Sequence, residues 1–316
     1  MIKVEQLTKR FGGITAVDQL SFQVMPGEVL GFLGPNGAGK STTMKMITGF
    51  LEPDSGSVEI FGADIVKAPL QAKQQIGYLP EGAPAYGDMT VLAFLRFMAE
   101  IRGFSGSELS NRVAAVVDKT ELREVLKQPV ETLSKGFKRR VGLAQTLIHD
   151  PAVLILDEPT DGLDPNQKQQ VRDLITHLSD DKIVIVSTHI LEEVTSVCSR
   201  AMIIAQGQKV IDGTPQELEA RSRYHQAISL SFSQPVAQAA SALAALDGVM
   251  EVDETQNGRH YLLFPEPGVA LYPQVNTLIN QQQWPIDTLH IERGRLDDVF
   301  RSLTIADHDQ ADMAVK

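Results

Sequence analysis

The stretch GPNGAGKS, residues 34–41, restricts the fold of this chain more than any other feature of its sequence. The continuous apolar run Val29–Leu33 precedes it and is typical of a parallel strand that is covered on both faces. Helical periodicity follows from about Lys40 to Thr48 and stops at Gly49. A glycine-rich turn between a buried strand and a helix N-terminus is the pattern of a phosphate-binding loop. We therefore predict a site for a nucleoside triphosphate.

The residues of this turn have separate predicted tasks. Its glycines let the backbone approach the phosphates and direct N–H groups at their oxygens. Lys40 supplies a point charge for the β and γ phosphates, and the Ser41 hydroxyl is a candidate ligand of Mg²⁺. The predicted nucleotide-binding residues are Gly34, Pro35, Asn36, Gly37, Ala38, Gly39, Lys40, Ser41 and Thr42.

A pair of carboxylates follows a second buried strand. The run AVLILD ends at Asp157, and Glu158 comes next. A phosphate-binding loop needs a carboxylate on a neighbouring strand to hold magnesium, and Asp157 is the predicted ligand. Glu158 would lie just beyond the carboxyl end of the strand, where ligands bind in open α/β sheets. A carboxylate there can orient the attacking water and accept its proton, so Glu158 is the predicted catalytic base.

The order of strands and helices predicts an α/β fold with two domains. Residues 1–220 alternate strands with helices around a mainly parallel core, and a helical insertion occupies about 85–150. Within the insertion, helices are predicted at TVLAFLRFMA, where the threonine is the cap, at SELSNRVAAVVDK and at ELREVL. N-terminal strands precede the phosphate-binding loop. Residues 221–305 have the order β-α-β-β-α-β, which predicts a small ferredoxin-like α+β domain. Residues 306–316 are polar, and we expect a flexible tail there.

Composition limits the partners and the cellular compartment that we expect for this protein. The formal net charge is −11, which argues against a broad nucleic-acid-binding surface, so we expect no nucleic-acid partner. Cys198 is the only cysteine, so an intrachain disulfide is impossible and a reducing cytoplasm is expected. Apolar runs are strand-sized, and the N-terminus has no apolar signal-peptide core.

A second segment has the features of an anion site. Leu133–Arg140, with the sequence LSKGFKRR, opens a basic amphipathic helix with a serine and a glycine. The start of a helix leaves N–H groups free and carries the positive end of the peptide dipoles. The segment lies almost a hundred residues after the phosphate-binding loop, so the sequence raises the question of which anion it binds.

In combination, these features resemble the nucleotide-binding subunit of an ATP-binding cassette (ABC) transporter, over roughly residues 1–220. Gly34–Ser41 is similar to the family's Walker A loop, and Val153–Asp157 to its Walker B strand, followed by Glu158 as the catalytic carboxylate. The resemblance implies that the nucleotide is ATP, bound with Mg²⁺, and that the reaction is ATP + H₂O → ADP + phosphate.

Shorter motifs extend the resemblance along the chain. Lys9-Arg10-Phe11-Gly12 is similar to the adenine-stacking loop, with Phe11 as the aromatic platform. Leu133–Phe137 resembles the signature LSGGQ, and Gly162-Leu163-Asp164 resembles the loop that crosses the dimer interface. Ser187-Thr188-His189 places His189 as the switch histidine.

The family supplies an answer for the second anion site. Two of its nucleotide-binding domains pack head to tail, and each signature helix caps the γ-phosphate of the ATP held by the other domain. The resemblance therefore implies that Ser134, Lys135, Gly136 and Asp164 contact ATP bound to a partner. That partner would be a second ABC subunit, and a homodimer is the expected assembly.

Three positions depart from the broad family pattern. Lys135 replaces a glycine of the signature, and Phe137 replaces its glutamine. Glu81 stands where the family more often has glutamine, and as a carboxylate it can accept but not donate a hydrogen bond. We expect Glu81 to contact Mg²⁺ or the attacking water. Such variants occur in the branch of the family that exports drugs, lipids or polysaccharides, and this chain resembles that branch. Members of the branch often have an extra C-terminal domain with a motif similar to Leu296–Phe300 of this chain.

The leading hypothesis is therefore a cytoplasmic ATPase subunit that lies at the membrane by binding a separate polytopic permease and that powers export. The permease is expected to dock near the Glu81 loop and the segment Ala83–Met98, where Tyr86 and Phe94 are candidate contacts. Core packing is the alternative for both residues and is favoured for Phe94. The competing class is a soluble cassette ATPase of translation or DNA repair. Translation-type members carry two cassettes and repair-type members carry long coiled coils, whereas this chain has one phosphate-binding loop and no sustained heptads. For the C-terminal domain, a dimerisation or spacer role competes with that of a ligand sensor.

Overall fold

The structure is a computed structural model that describes residues 1–303. It divides into two compact units, Met1–Thr214 and a second one that begins at Pro215. The predicted tail at residues 306–316 lies outside the described residues.

The first unit contains both β-strands and α-helices, as the sequence predicts for this part of the chain. In chain order its elements are β1 (Ile2–Phe11), β2 (Ile14–Val24), β3 (Val29–Leu33), α1 (Lys40–Ile47), β4 (Ser55–Ile60), β5 (Ala63–Asp64), α2 (Pro69–Gln74), β6 (Ile76–Leu79), α3 (Val91–Ile101), α4 (Gly106–Lys119), α5 (Lys135–Leu147), β7 (Val153–Asp157), α6 (Pro165–Leu178), β8 (Ile183–Thr188), α7 (Leu191–Val197), β9 (Arg200–Ala205) and β10 (Gln208–Gly213).

The central sheet has six strands in the order β10-β9-β3-β8-β7-β6. Strands β9, β3, β8, β7 and β6 run parallel, and β10 adds an antiparallel edge. Every residue of β3, β7 and β8 is buried, as their continuous apolar sequences predict. Because these three strands are neighbours and parallel, their carboxyl ends meet at one edge, and the loops that follow them lie side by side.

The predicted N-terminal strands form a separate four-stranded antiparallel sheet in the order β2-β1-β4-β5. Its inner face packs with α1 and the central sheet in one apolar core. Phe22 of β2 and Phe32 of β3 bring the two sheets together, with ring centroids 5.5 Å apart. This core holds α1, and therefore the phosphate-binding loop, in place.

The helical insertion consists of α3, α4 and α5. Thr90 caps α3 by accepting a hydrogen bond from the Ala93 N–H at 3.2 Å, as its sequence predicts. The expected helix at ELREVL is wrong, because only a 3₁₀ turn forms, at Arg123–Val125. Glu121 adopts a left-handed conformation (φ +55°), which ends the helical path before that turn.

The second unit confirms the predicted strand and helix order. Its elements are α8 (Pro215–Glu219), β11 (Ile228–Phe232), α9 (Ala239–Ala244), β12 (Val249–Thr255), β13 (His260–Pro265), α10 (Tyr272–Gln282) and β14 (Ile286–Ile291). The sheet order β12-β13-β11-β14, with every pair antiparallel, is the ferredoxin-like arrangement of a β-α-β-β-α-β chain. Buried residues of β11, β13, α9 and α10 form its core, against which Trp284 packs.

Across residues 1–303, the helices are too short or too polar to cross a bilayer.

Candidate active site

The predicted phosphate-binding loop opens into a cleft at the carboxyl edge of β3, β7 and β8. Residues from five segments line it: Ala16 of β2; Asn36, Gly37, Gly39, Lys40, Ser41 and Thr42 of the loop and α1; Glu81 after β6; Glu158 and Asp161 after β7; and His189 after β8. The structure therefore brings together four segments, containing the phosphate-binding loop, Glu81, Glu158 and His189, that are separated by up to about half of the chain and that the sequence predicts to act together.

Two glycines of the loop show why this turn needs its composition. Gly39 has φ +101°, and a Cβ there would lie 2.3 Å from the Ala16 carbonyl oxygen. Gly37 has φ +83°, but a Cβ there would meet nothing within 4 Å. Gly39 thus permits close packing of the loop against β2, whereas Gly37 provides a backbone bend on the open side of the loop, where a ligand can approach.

The Lys40 side chain is buried within the phosphate-binding loop. Its Nζ donates hydrogen bonds to the carbonyl oxygens of Gly34, at 2.7 Å, and Pro35, at 3.2 Å. Burial lowers the pKa of Lys40, while the nearby carboxylates Glu158, Asp157 and Glu81 oppose that shift. A partly desolvated ammonium group therefore lies beneath the turn, next to the surface where phosphate oxygens would rest.

The remaining loop residues shape the turn. Ala38 is buried, and its N–H donates to the Pro35 carbonyl oxygen at 3.1 Å. A Cβ at Gly34 would lie 2.4 Å from the Ile204 carbonyl oxygen, so this position also requires glycine. Gly34, Pro35 and Ala38 are not among the residues that line the cleft, which means that they hold the loop rather than face its ligand.

Asp157 and Glu158 are positioned by the pairing of β7 with β8, in which Asp157 lies opposite Ser187. The Ser187 hydroxyl donates a short hydrogen bond to the Asp157 carboxylate. The Glu158 N–H donates to both the carbonyl oxygen and the hydroxyl oxygen of Ser187, each at 3.1 Å. One serine on β8 thus fixes the carboxylate that ends β7 and the backbone of the residue after it.

Glu158 faces the cleft together with His189. Its Oε2 lies 2.9 Å from Nδ1 of His189, whose side chain is 54% exposed against 14% for that of Glu158. Burial raises the pKa of Glu158, and the hydrogen bond from His189 partly offsets this rise. A carboxylate that is largely desolvated, hydrogen-bonded to an imidazole and adjacent to a phosphate-binding loop has the attributes of a general base.

The predicted magnesium ligands differ in their access to the cleft. Ser41 and Glu81 line it, whereas Asp157 is buried behind it and is bonded to Ser187. Within residues 1–303, no three His, Cys, Asp or Glu side chains form a preassembled metal site. The oxygen-rich set of Ser41, Glu81 and Asp157 nevertheless suits a hard cation that also binds phosphate oxygens.

The second anion segment lies outside this cleft. Ser134 caps α5 by accepting a hydrogen bond from the Phe137 N–H at 3.3 Å, and both Ser134 and Lys135 are exposed. A Cβ at Gly136 would lie 2.6 Å from the Gln167 side chain, and one at Gly162 would lie 3.2 Å from the Lys135 side chain. The start of α5 therefore packs closely on the loop before α6 and on α6 itself.

Asp164 and Phe11 also lie away from the cleft-lining set. Asp164 forms a capping box with Gln167 at the start of α6, accepting the Gln167 N–H at 2.9 Å. Phe11 ends β1 and is half exposed, with the Lys9 ammonium 5.8 Å from its ring centroid. The β1–β2 hairpin that carries Phe11 also contributes Ala16 to the cleft.

Similarity to known proteins identifies the family. A sequence model for the family described as "ABC transporter" matches residues 17–161. The linearmycin resistance ATP-binding protein LnrL of Bacillus subtilis (strain 168) is 37% identical over 234 residues, which are 74% of this chain and 75% of LnrL. This chain belongs to the ABC transporter ATP-binding proteins.

Other members of the family agree with this assignment. The probable multidrug ABC transporter ATP-binding protein YbhF of Escherichia coli (strain K12) is 36% identical over 223 residues. That match covers 70% of this chain but only 38% of YbhF. The structure of cbiO1 from Clostridium perfringens, part of the ABC transporter complex cbiONQ, is 29% identical, with a TM-score of 0.64 over 70% of this chain and 90% of that one. The predicted family and the predicted P-loop α/β core of the cassette are therefore confirmed.

Two side chains that support the cassette's active site were not predicted from the sequence. Arg139 of α5 donates a hydrogen bond from Nη2 to the Glu158 carbonyl oxygen at 2.6 Å. Glu193 of α7 is buried and accepts hydrogen bonds from the hydroxyls of Thr160, in the loop after β7, and of Thr188, the last residue of β8. Arg139 lies three residues after Gly136 and four before Leu143, on the buried face of α5, and this spacing was the available signal.

Proposed function

We propose that this chain is the ATP-hydrolysing subunit of an ABC exporter and that it works as a dimer beneath a separate membrane permease. One observation carries the proposal: the Glu158 carboxylate, hydrogen-bonded to His189, lines the same cleft as Lys40 and the phosphate-binding loop. This arrangement places a general base beside the position where the terminal phosphate of ATP would be held.

The chemistry follows from the residues of the cleft. The loop N–H groups and Lys40 bind the phosphates, and Ser41, Glu81 and Asp157 would hold Mg²⁺, which neutralises phosphate charge when it is bound. Glu158 orients a water molecule in line with the γ-phosphate and accepts its proton, because its raised pKa makes it more basic than an ordinary carboxylate. His189 keeps the Glu158 side chain directed into the cleft through their 2.9 Å contact.

The second anion segment completes the site from another molecule. A single chain leaves its cleft open, and the exposed start of α5 is not among the segments that line that cleft. The first N–H groups of a helix have no intrahelical acceptors, so that of the exposed Lys135 is suited to a phosphate held by a partner copy. Gly136 is buried against the Gln167 side chain, so its N–H would join this contact once that side chain moves aside. Binding of two ATP molecules would then join two cassettes, and hydrolysis with phosphate release would separate them.

The proposed permease contact lies in the helical insertion. Tyr86 is 57% exposed and packs edge-on against Phe94 and Phe97, whereas Phe94 is only 2% exposed and is a core residue. Tyr86 thus remains the aromatic candidate for docking in the predicted segment Ala83–Met98. LnrL and YbhF carry resistance and multidrug descriptions, which support a role in export for the complex of this chain with its permease.

Phosphate release from ATP by the purified chain, with and without Mg²⁺, tests the proposed reaction. Affinity purification from detergent-extracted membranes tests the proposed partner, for which a polytopic membrane protein is expected in stoichiometric amount. Recovery of ribosomes or DNA in its place would favour the soluble class of cassette ATPases and would overturn the transporter assignment.

A further inference from the structure

Arg139 joins the helix of the signature segment to the catalytic carboxylate. Its side chain is buried, with the residue only 5% exposed, and its Nη2 donates to the Glu158 carbonyl oxygen at 2.6 Å. Within the described residues, its Nη1 has no hydrogen-bond partner. Burying a guanidinium group is unfavourable unless its hydrogen bonds compensate for lost hydration, so the contact with Glu158 is a main anchor of this side chain.

The hydrogen bond from Arg139 is made to a residue with an unusual backbone conformation. Glu158 has φ +49°, a left-handed conformation that is uncommon for residues other than glycine. Its N–H is held by Ser187 of β8, and its carbonyl oxygen accepts from Arg139 of α5 at 2.6 Å and from the Asp161 N–H at 3.2 Å, so within residues 1–303 Arg139 is its only contact from α5. Two different elements therefore fix the two peptide groups that flank the Glu158 side chain, and a shift of α5 relative to β8 would reorient that side chain.

The same helix begins with the segment that would contact ATP on a partner. Arg139 follows Ser134 by five residues, which corresponds to about 7.5 Å along the helix axis. The first turn also packs on Gln167 and Gly162, through Gly136 and Lys135 respectively. The proposed contact surface and the Arg139 anchor are thus parts of one packed unit, because a helix transmits displacement along its axis with little bending over so short a length.

We propose that Arg139 is a positioning residue that couples the two ATP sites of the dimer. When the signature segment of one chain closes on the partner's nucleotide, α5 carries Arg139 with it, and Arg139 sets the orientation of Glu158 in its own chain. Closure on ATP at one site therefore orients the catalytic base, Glu158, of the other site. This inference rests on the proposed ATP-driven dimer, and it assigns to Arg139 a part in cooperativity rather than in nucleotide binding.

Three variants of the full-length chain test this coupling. Arg139→Met removes the guanidinium group but keeps a long stem, Arg139→Gln keeps a neutral donor for the Glu158 carbonyl, and Lys127→Met removes one exposed positive charge outside the segment Leu133–Arg140. We expect Arg139→Met to lower kcat by about 10- to 100-fold, the worth of a hydrogen bond to a charged group. Its KM for ATP and its ATP-dependent dimerisation should stay within about twofold of the unmodified chain.

The cooperativity of hydrolysis distinguishes positioning from a merely structural role. The unmodified chain and Lys127→Met should show a Hill coefficient above one, Arg139→Met should show a value near one, and Arg139→Gln should recover a large part of both kcat and cooperativity. Thermal unfolding of each variant identifies any loss that comes from misfolding, and the comparison of Gln with Met is then made at a temperature where both are folded.

The outcomes separate this inference from the proposed function. If the unmodified chain neither hydrolyses ATP nor dimerises with it, the proposed function fails. If it does both, and Arg139→Met retains kcat and the Hill coefficient, or Lys127→Met loses them equally, the role of Arg139 is refuted while the ATPase assignment stands. A rise in KM with an unchanged kcat would also refute it, because that result would place Arg139 in ATP binding.

Discussion

His189 Nδ1 lies 2.9 Å from Glu158 Oε2, although 31 residues separate them in the chain. The contact exists because β7 and β8 are adjacent parallel strands with Asp157 opposite Ser187, so the residues just beyond both strands emerge at the same edge. At this distance the imidazole directs the buried carboxylate into the cleft and partly offsets the rise in the Glu158 pKa that burial causes.

Replacing Glu158 by Gln separates ATP binding from hydrolysis. The amide keeps the shape of the side chain but cannot accept a proton from water, so we expect turnover to fall by at least about 100-fold. ATP binding should persist, and a nucleotide-bound dimer should accumulate, as measured by size-exclusion chromatography with light scattering. Glu192→Gln, at an exposed position in the first turn of α7, is the matched control and should retain turnover. Normal hydrolysis by Glu158→Gln would refute the assignment of the base.

The acid side of the pH–rate profile reports the environment of Glu158. Burial raises its pKa, so its base form is lost as pH falls through a value above the usual carboxyl value of about 4.3. His189 opposes that rise, and His189→Ala removes this opposition. We therefore expect the acid limb of kcat to move to higher pH in His189→Ala, whatever the maximal kcat of this variant.

The same variant identifies the titrating group. The His189 imidazole cannot cause an acid limb in the variant that lacks it, and no other histidine of residues 1–303 lines the cleft, so a limb that persists is assigned to a carboxylate of the cleft. A limb that stays in place or moves to lower pH would contradict the described contact. Glu192→Gln should leave the position of the limb unchanged, because its side chain is exposed.

The sequence predicted those parts of the site that depend on local pattern. The phosphate-binding loop and the two buried strands β7 and β8 were evident because a glycine-rich turn or a continuous apolar run is a property of neighbouring residues. The order of strands in the sheet depends on nonlocal pairing. For this reason the cleft residues Ala16 and Asp161, and the contact between Arg139 and Glu158, were not foreseen.

Errors in the predicted elements have local physical causes. The expected helix at ELREVL fails because the left-handed backbone of Glu121 interrupts it, and a glutamate gives no warning of this conformation in the sequence. Strands β9 and β10 were missed as well. β9 pairs with β3 on one side and with β10 on the other, and its buried apolar run AMIIA is the same local signal that identifies β3, β7 and β8.

A negative charge at Ser134 should prevent dimerisation without preventing ATP binding. Ser134→Glu places a carboxylate where the γ-phosphate of the partner's ATP is proposed to rest, and like charges at an interface cost several kcal/mol. We expect ATP-dependent dimerisation of the Glu158→Gln background to weaken by about 100-fold or more. Ser107→Glu, on the exposed side of α4, is the charge-matched control. Unchanged dimerisation in Ser134→Glu would count against a site shared between chains.

Alanine at Gly39 should damage the phosphate-binding loop more than alanine at Gly37. Both positions have positive φ, so each substitution introduces backbone strain of about 1–2 kcal/mol in the free energy of unfolding. At Gly39 the new Cβ would also lie 2.3 Å from the Ala16 carbonyl oxygen, which must move together with β2, whereas Gly37 has open space around it. Urea unfolding should therefore show a larger loss for Gly39→Ala. ATP binding, followed with a fluorescent analogue, should weaken more in that variant because the displaced loop no longer directs its N–H groups at the phosphates. Equal losses in the two variants would show that strain alone sets the cost, and that the contact between the loop and β2 has no part in forming the site.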